Sequence, residues 1–343
     1  MTQVGLTTNH QSEGTDFDET TLFASSGESI SLADASTWFR VSAPFETSRG
    51  VHAWQRGVAV PITSAIPDAV FTTAMRLDSE IVDGNWQSAS WGTLEGVFAA
   101  PLCGLQPSHE RVRLRVGLVA DILGHTLQRC TVMVDLLDLA QQAAQPITAP
   151  SLGKAGSWPH PRSQREEGDT NETLRVVRAM QSDLHDDART REQMLAATHL
   201  RHWSPQFIWA GPGGIGTTTA SRGFVDHHQL PFRLAFPDRV GGGALPPGDD
   251  SGSTGHFVKF ARGAWAVTGG WPSITATHAG DGWLGLAASN KSVTLRVFDF
   301  YEVTSGKISM NWVFIDIVDF MTKIGVLPSH IHGYPTSTKG ATT

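Results

Sequence analysis

Apolar residues follow a helical period in the middle of the chain and a strand-like distribution after it. Segments 171–184 and 188–200 carry apolar residues at three- and four-residue spacing, which predicts amphipathic helices, and 223–236 is predicted as a third helix. Runs rich in β-branched and aromatic residues follow, separated by turns that contain glycine. We predict that these runs are strands, at 256–260, 264–275, 293–303 and 307–315.

The two halves of the chain match each other in sequence. Three pairs of identical residues lie 181 positions apart, namely Val112 and Val293, Asp135 and Asp316, and Asp138 and Asp319. An ungapped match over this span indicates a tandem duplication of one domain type. Because helices precede strands in each copy, we predict an α+β fold. It would consist of two tandem cone-shaped domains, each a curved antiparallel sheet wrapped by helices.

Shifts in composition predict the domain limits. Residues 1–28 are rich in Ser, Thr, Glu and Asp and lack an apolar period, so we expect a flexible tail. Residues 143–168 mix Pro, Gly, Ser and charge, which is typical of a linker. This linker separates a domain at 29–142 from a domain at 169–330, and 331–343 forms a second tail. The loop 240–255 has no counterpart in the first domain and is either a mobile lid or a surface insertion.

Composition and charge exclude several classes of protein. The 343 residues are 40% apolar, which is enough for a sizeable core, and their net charge of -7 argues against a nucleic-acid partner. No apolar stretch reaches the roughly 20 residues that span a bilayer. Two cysteines exclude a disulfide scaffold and a cysteine-rich metal site. The polar, acidic start is unlike a secretory signal, so we expect a cytoplasmic protein without a membrane partner.

Four segments of the second domain, taken together, resemble the sequence of a known protein family. They are Gly270-Trp271-Pro272-Ser273, Ala276-Thr277-His278-Ala279-Gly280, Trp283-Leu284-Gly285 and the run LRVFDFYEVTSGKISMNWVFIDIVDF at 295–320. Together they resemble the SnoaL-like polyketide cyclase family of the nuclear-transport-factor-2-like superfamily, whose members are α+β cones. The resemblance covers 200–328 well and the first domain more weakly.

The resemblance implies an enzyme that needs neither a metal nor an organic cofactor. The family's characterised cyclases close a ring by an intramolecular aldol reaction. An aspartate at the end of the last strand is their general acid/base, and this position falls on Asp316. A polar position in the preceding strand, often His in the antibiotic cyclases, is Asp299 here, and the histidine of the Thr-His-x-Gly turn is His278. The implied function is a cyclase, lyase or isomerase that acts next to a carbonyl on a polyketide-like or aromatic small molecule.

Strand alternation gives this hypothesis a physical form. Residues that share one face of the predicted strands are Leu295, Val297, Asp299 and Tyr301 on the first, and Met310, Trp312, Phe314 and Asp316 on the next. If both faces line the cone, Asp299 and Asp316 share a cavity that pushes their pKa values apart, giving one acid and one base, with His278 assisting. Two structural alternatives stay open. Asp316 is also placed to cap a helix, and His278 to make a hydrogen bond in a turn.

Other residues are candidates for binding the substrate. One histidine of a pair on the predicted helix 223–236 can reach the pocket mouth, whereas the other is expected to be exposed to solvent. Three tryptophans suit an aromatic or extended apolar ligand, and simple core packing is the alternative for each of them. The candidate substrate-binding residues are His227, His228, Trp271, Trp283 and Trp312.

The first domain lacks the candidate chemistry of the second. Leu118 stands at the position of Asp299, and Val97 stands at that of His278. We therefore expect the first domain to be a structural partner that pairs with the second domain within the chain, through the exposed faces of the sheets. The residues expected at this interface are Arg115 and Arg296. A homodimer also stays open.

No cofactor or metal is expected, and two other functions remain open. Residues 211–216 match G-x-G-x-x-G, but no βαβ unit follows, and His330 and His332 lack a third metal ligand. One alternative is a non-catalytic small-ligand-binding or assembly module of the same fold, and the other is a hydrolase that uses an Asp-activated water. The enzyme hypothesis built on Asp299, Asp316 and His278 requires these three groups to converge on one enclosed cavity, and it fails if they scatter.

Overall fold

Two sheets form the body of the protein, one from each half of the chain. The computed structural model describes residues 15–24, 29–82, 84–156, 158–185, 188–241, 255–256 and 258–336. Outside the described residues lie 1–14 and 25–28 of the predicted N-terminal tail, most of the 240–255 loop, and the chain from 337 onward. Within the described part, no helix is long and apolar enough to cross a membrane.

The first half builds a six-stranded sheet. Its strands are β1 (Trp38–Val41), β2 (Ser48–Arg49), β3 (Val70–Val82), β4 (Asn85–Val97), β5 (Arg111–Leu123) and β6 (Thr126–Val134). The order of these strands in the sheet is β2-β1-β6-β5-β4-β3, and β1 and β6 are the pair that runs parallel. The helical segments are a 3₁₀ helix (Glu19–Phe23), α1 (Val51–Trp54), a π-helix (Gln55–Ala59), α2 (Val60–Ala65) and α3 (Leu136–Gln142).

The second half builds the other sheet in the same way. Its strands are β7 (Trp203–Ala210), β8 (Thr217–Thr219), β9 (Val240–Gly241), β10 (Val258–Arg262), β11 (Trp265–Thr277), β12 (Ser292–Thr304) and β13 (Lys307–Ile315). Their order in the sheet is β10-β11-β12-β13-β7-β8, with β9 paired to β11, and β13 and β7 are the pair that runs parallel. The helices are α4 (Thr170–Ser182), α5 (Arg191–Leu195), α6 (Ala220–Phe224), a π-helix (Val225–Gln229), α7 (Leu230–Ala235) and α8 (Ile317–Ile324). Short 3₁₀ helices lie at Arg165–Glu167, Asp183–His185, Thr198–His202 and Trp283–Gly285.

The predicted pair of tandem α+β domains is confirmed, but both sheets are mixed rather than purely antiparallel. In each half, a strand that precedes the π-helical segment pairs in parallel with the last strand of the sheet in chain order. Such a strand is not connected to its neighbour by a tight hairpin, so nothing forces the pair to be antiparallel. The sequence pattern therefore located the hairpin strands but did not predict the parallel pairing.

The duplication is visible in the equivalent elements of the two halves. β5 and β12 both have 13 residues and begin 181 positions apart, and β6 and β13 both have nine residues with the same offset. α3 and α8 also begin 181 positions apart. A π-helix lies between two short α-helices in each half. The two domains therefore share one architecture, including its irregular helix.

Two segments that we predicted as tail and linker are partly packed. Within 15–24, Phe17 and Leu22 are buried and Glu19 pairs with Arg76 at 2.5 Å. Within 143–168, the indole Nε1 of Trp158 donates to a backbone carbonyl of the second half at 2.9 Å. The connection between the two domains therefore runs through the protein interior at this point.

The two sheets contribute side chains to one buried layer. Its large members come from both halves and from the connection, and they include Trp91, Met133, Trp158, Phe298, Phe300, Met310, Trp312 and Phe314. The rings of Trp91 and Trp312 have centroids 5.4 Å apart. A Cβ on Gly117 would lie 2.6 Å from the Phe314 ring, so the absence of a side chain on β5 makes room for this phenylalanine. The layer has the close packing of a protein core.

Reciprocal hydrogen bonds join the two halves beside this layer. Asp135 begins α3 and accepts a hydrogen bond from Gly213 N of the second half at 3.0 Å. Asp316 begins α8 and accepts one from Ala43 N of the first half at 3.1 Å. Each carboxylate caps its own helix and also binds a backbone N–H of the other domain. A Cβ at Gly213 would lie 2.2 Å from a backbone nitrogen of α3, so the glycine-rich loop 211–216 serves close packing between the halves.

The two expected interface arginines lie beside these carboxylates. Arg115 pairs with Asp135 at 3.2 Å and also with Asp138, and its guanidinium lies over the Trp158 ring. Arg296 pairs with Asp316 at 2.9 Å, and its guanidinium lies 4.5 Å from the Trp271 ring centroid. The two halves thus use the same combination of carboxylate, guanidinium and indole.

Candidate functional site

A cavity of about 240 Å³ lies inside the second domain, between its sheet and the covering helices. The sheet contributes the face that turns away from the first domain. Most of the wall is apolar, and aromatic rings are prominent among its members, which include Trp203, Trp209, Phe224, Phe232, Leu295 and Val297. Apolar walls with a few polar groups are typical of small-molecule sites.

The irregular helix places His228 in the wall of this cavity. Pro231 has no N–H for the usual bond to the residue four positions earlier, and its ring crowds that carbonyl, so the preceding turn widens into the π-helix Val225–Gln229. The His228 ring stacks on Trp209 with centroids 3.9 Å apart, and its Nδ1 is buried without a hydrogen-bond partner in the described part of the chain. Burial, helped by the positive charge of Arg233, lowers the pKa of His228 to about 3. His228 is therefore a neutral group at physiological pH.

A polar cluster on β12 and β13 interrupts the apolar wall. Asp299 and Tyr301 lie two residues apart on β12, and Asn311 on β13 is the cross-strand partner of Tyr301. The amide Nδ2 of Asn311 donates to the Asp299 carboxylate at 3.3 Å and to a backbone carbonyl at 3.1 Å. All three side chains line the cavity. The sheet register thus places an acid, a phenol and an amide together on an otherwise apolar face.

The Asp299 carboxylate has an unusual proton affinity. It is 9% exposed, and in the described part of the chain it forms no ion pair with a lysine or arginine. Burial raises its pKa from 3.8 to about 7, while hydrogen bonding from Asn311 and Tyr301 opposes the rise. A carboxyl group that is half ionised near neutral pH can both accept and donate a proton.

A second polar group reaches the cavity from the far edge of the sheet. His256 precedes β10, and its Nδ1 lies 2.9 Å from Thr268 Oγ1 and 3.2 Å from Gln181 Nε2. His256 and Gln181 both line the cavity. Burial and the positive charge of Lys259 lower the pKa of His256 to about 3, so this imidazole is also neutral.

Asp316 does not line the cavity. It is 3% exposed and accepts hydrogen bonds from Asp319 N at 3.1 Å and from the first domain, in addition to its ion pair with Arg296. Burial raises its pKa to about 6, and the Arg296 charge opposes this. The described contacts are those of the helix-capping alternative.

His278 also lies away from the cavity. Its ring is buried between Phe236 and Phe320, with centroids 5.4 and 5.1 Å away, and its Nδ1 accepts a hydrogen bond from Ser289 N at 3.3 Å. Its Nε2 is buried without a partner among the described residues. Burial lowers its pKa. These contacts match the expected turn hydrogen bond and add core packing.

The candidate substrate-binding residues are divided among three places. Only His228 lines the main cavity, whereas His227 and Trp283 line a smaller cavity of about 120 Å³. Trp271 and Trp312 pack at the layer between the sheets, where Trp312 Nε1 donates to Pro159 O at 2.8 Å. Four of the five are therefore absent from the cavity that holds Asp299.

The predicted convergence of Asp299, Asp316 and His278 is not found, and the strand register explains why. The cross-strand partner of Asp299 on β13 is Val313, so Asn311, Val313 and Ile315 line the cavity. The alternate residues Met310, Trp312 and Phe314 belong to the inter-sheet layer, which corrects the face assignment made from the sequence. Both faces of β13 are apolar, and alternation alone could not say which one faces the cavity.

Four residues of the cavity wall were not predicted from the sequence as functional candidates, namely Tyr301, Asn311, Gln181 and His256. Tyr301 shares the stripe of Asp299, and correct pairing of the two strands would have added Asn311. Gln181 and His256 come from separate segments and had no sequence signal. The described residues contain no group of three or more His, Cys, Asp or Glu side chains arranged to hold a metal.

Comparisons with known proteins find structural resemblance only. No family model and no curated protein matches the chain. It is similar to a candidate SnoaL-like polyketide cyclase from a Jannaschia species, at 15% identity over 50% of this chain and 100% of that one, with a TM-score of 0.35. It is also similar to AclR, a candidate hydroxylase from Streptomyces galilaeus (18% identity, 47% and 89% covered, TM-score 0.33). A third match is an NTF2-like protein from Burkholderia xenovorans (14%, 46% and 98%, TM-score 0.32).

Each of these matches covers about half of the chain. At such identities and TM-scores, the resemblance carries no information about substrate or reaction. What the site can do must therefore be inferred from this chain's own residues.

Proposed function

We propose that the second domain is a cofactor-independent enzyme that moves a proton next to a carbonyl group of an apolar small molecule. Asp299 is the general acid/base, and the reaction is of the aldol or retro-aldol type, as in a cyclase, lyase or isomerase. The substrate class is an aromatic or polyketide-like molecule that fits the aromatic wall. One observation carries the proposal: a carboxylate without an ion-pair partner in the described chain lies in the wall of an apolar cavity.

The free energy that is needed to ionise this buried carboxyl group argues for a catalytic role. Each tenfold change in an acid dissociation constant corresponds to about 1.4 kcal/mol, so a pKa near 7 means that the ionised form costs about 4 kcal/mol in the folded protein. A cavity that only binds an apolar ligand would gain stability from a leucine. The first domain has Leu118 at the equivalent position of β5, where it is fully buried. Retaining the acid in the second domain is expected if proton transfer is its role.

The surrounding groups suit proton transfer. The ionised carboxylate takes the proton from carbon, and Asn311 Nδ2 holds the carboxylate in place. Burial raises the pKa of Tyr301 well above 10, so its hydroxyl keeps its proton and remains a donor. The neutral His228 stacked on Trp209 extends the flat aromatic wall against which a planar substrate can lie.

We also propose that residues 29–142 form a structural domain and that 169–330 carry the activity. The interior of the first domain is filled by aromatic side chains such as Trp54 and Phe39, which stack with centroids 4.9 Å apart. Packing of its sheet against the second sheet supports a role as a fixed intramolecular partner. In this arrangement Asp316 holds the two domains together rather than acting on substrate.

The test is exchange of carbon-bound protons in deuterated water. A panel of aryl methyl ketones, 1,3-diketones and aromatic β-keto esters is incubated with the full chain, and deuterium incorporation is followed by proton NMR. We expect enzyme-dependent exchange that falls by about 10²- to 10⁴-fold in Asp299→Asn, the usual contribution of a general base. Asp226→Asn is the matched control, because Asp226 pairs with Arg191 outside the cavity.

Four results would overturn the proposal. Equal exchange by wild type and Asp299→Asn would remove Asp299 from the chemistry. Binding of panel members without exchange would favour a non-catalytic ligand-binding module, and no interaction with any of them would favour an assembly module. Release of the acid from the β-keto ester without exchange would instead indicate a hydrolase.

A further inference from the structure

We propose that His256 donates its Nε2–H to the carbonyl oxygen of the substrate, and that Gln181 and Thr268 are positioning residues that fix this tautomer. The proposal rests on the proposed function and supplies its missing half. Removing a proton next to a carbonyl places negative charge on the oxygen, and a preorganised donor must meet that charge. Asn311 is engaged with Asp299, and the Tyr301 hydroxyl is engaged in hydrogen bonds with Thr268, Gln181 and Asp299, so none of these groups is assigned this task.

Hydrogen-bond directions around His256 determine where its proton lies. Gln181 Nε2 donates to Thr268 Oγ1 at 2.8 Å and points a second N–H at His256 Nδ1, 3.2 Å away. The Thr268 hydroxyl accepts from Gln181 and can give its own proton to His256 Nδ1 at 2.9 Å. An amide nitrogen can only donate, so His256 Nδ1 is the acceptor, and the ring proton of the neutral imidazole is on Nε2.

The Nε2 end of the ring is the one left for a ligand. His256 is 5% exposed and lines the cavity, and no described residue accepts a hydrogen bond from its Nε2. A carbonyl or enolate oxygen in the cavity would satisfy this donor.

The sheet places this donor beside the proposed base. Thr268 on β11, which contacts His256, is the direct cross-strand partner of Asp299 on β12. Asp299 and the His256–Thr268 pair therefore occupy neighbouring strands on the cavity face. One substrate can then present its acidic carbon to the carboxylate and its oxygen to the imidazole.

The charges around His256 keep it neutral. Lys259 on β10 is the cross-strand partner of Thr268 on the side of β11 opposite to Asp299, and its positive charge opposes protonation of the His256 imidazole. Burial, together with the charge of Arg178, lowers the pKa of Lys259 itself to about 8. Asp299 is the nearest acid in the cross-strand row, and its carboxyl is half protonated near pH 7. A neutral imidazole that keeps its N–H is suited to stabilise an enolate by hydrogen bonding.

The tautomer can be measured without any substrate. The full chain is labelled with ¹⁵N, and long-range ¹H–¹⁵N correlation spectra are recorded from pH 8 to pH 5, with the His256 signals identified by their loss in His256→Gln. We expect the Nε2–H tautomer throughout. His278 is an internal reference for this pattern, because its Nδ1 accepts from the backbone N–H of Ser289. Thr268→Ser should keep the pattern, whereas Gln181→Glu, which can only accept, should move the proton to Nδ1 or charge the ring.

A kinetic measurement completes the test. With the panel ketone that wild type exchanges fastest, His256→Phe should lower kcat by about 10²- to 10³-fold and leave the inflection of the pH profile near pH 7, because Asp299 still titrates. An Nδ1–H tautomer in wild type, or unchanged kcat in His256→Phe, overturns this inference and leaves the proposed function standing. Absence of exchange with every ketone overturns both.

Discussion

Replacing Asp299 by asparagine should remove a pH dependence of stability that the buried carboxylate imposes. The pKa of Asp299 is raised from 3.8 to about 7 by burial. In the pH range between these two values, the folded protein holds a proton that the unfolded chain releases. The stability that the protonated Asp299 carboxyl contributes is therefore fully present below pH 3.8 and is lost as the pH rises through 7. Asparagine has nearly the same shape and an oxygen that can still accept from Asn311, but it does not titrate.

The size of the effect follows from the two pKa values. Between pH 5 and pH 8, ionisation of Asp299 should cost the wild-type protein about 2–3 kcal/mol of unfolding free energy. At pH 8 the asparagine variant should be more stable than wild type by up to about 4 kcal/mol. At pH 5 the gap should shrink to about 1–2 kcal/mol, because the wild-type carboxyl is then mostly protonated. The difference between the two proteins, rather than either curve alone, isolates Asp299 from the other titrating groups.

Urea unfolding followed by tryptophan fluorescence at pH 5, 6, 7 and 8 measures this difference. The Asp226→Asn variant is the control, because Arg191 lowers the pKa of Asp226 and keeps this carboxylate ionised over the whole range. Its curve should run parallel to that of wild type. If the Asp299→Asn curve is also parallel to wild type, the carboxylate is not desolvated, and the argument for its catalytic use loses its basis.

Three further changes test the packing that supports the site. Asp316→Ala removes the cap of α8, a hydrogen bond to the first domain and the ion-pair partner of Arg296, so the free energy of unfolding should fall by about 2–4 kcal/mol. Ketone exchange per folded molecule should be unchanged, and a loss of exchange would return Asp316 to the active site. Gly117→Ala places a Cβ 2.6 Å from the Phe314 ring and should lower the free energy of unfolding in urea by about 1–3 kcal/mol. Gly223→Ala is the control: it lies in a helix, its new Cβ would be 3.7 Å from the nearest side-chain atom, and it should be neutral or stabilising. Equal effects of the two substitutions would contradict the tight contact between the sheets. His228→Phe should reduce the loss of unfolding free energy on acidification, because burial lowers the pKa of His228 from 6.5 to about 3 and the stability that the neutral ring contributes above pH 6.5 is lost as the pH falls. Between pH 7 and pH 5 the wild type should lose about 2 kcal/mol more than the variant. Equal losses would show that the imidazole is solvated.

The sequence by itself determined the element types and the duplication. Helical spacing and β-branched runs are local properties, and they located α4, the π-helical segment and the strands β10, β11, β12 and β13 of the second sheet. The offset of 181 residues is constant because equivalent strands and hairpins have equal lengths in the two halves, as in β5 and β12. The sequence also singled out Asp299, because an acid on a stripe of Leu295 and Val297 is expensive wherever that stripe is buried.

Only the tertiary structure decided which groups meet. Both faces of β13 are buried, one against the cavity and one against the first domain, so alternation could not show that Val313 rather than Trp312 lies beside Asp299. Asp316 became a cap between domains because Ala43 N, 273 residues earlier, happens to lie against it. His256, Gln181 and Thr268 come from three segments that only the sheet and α4 bring together. Such contacts depend on register and packing between distant segments, and no local pattern of residues encodes these.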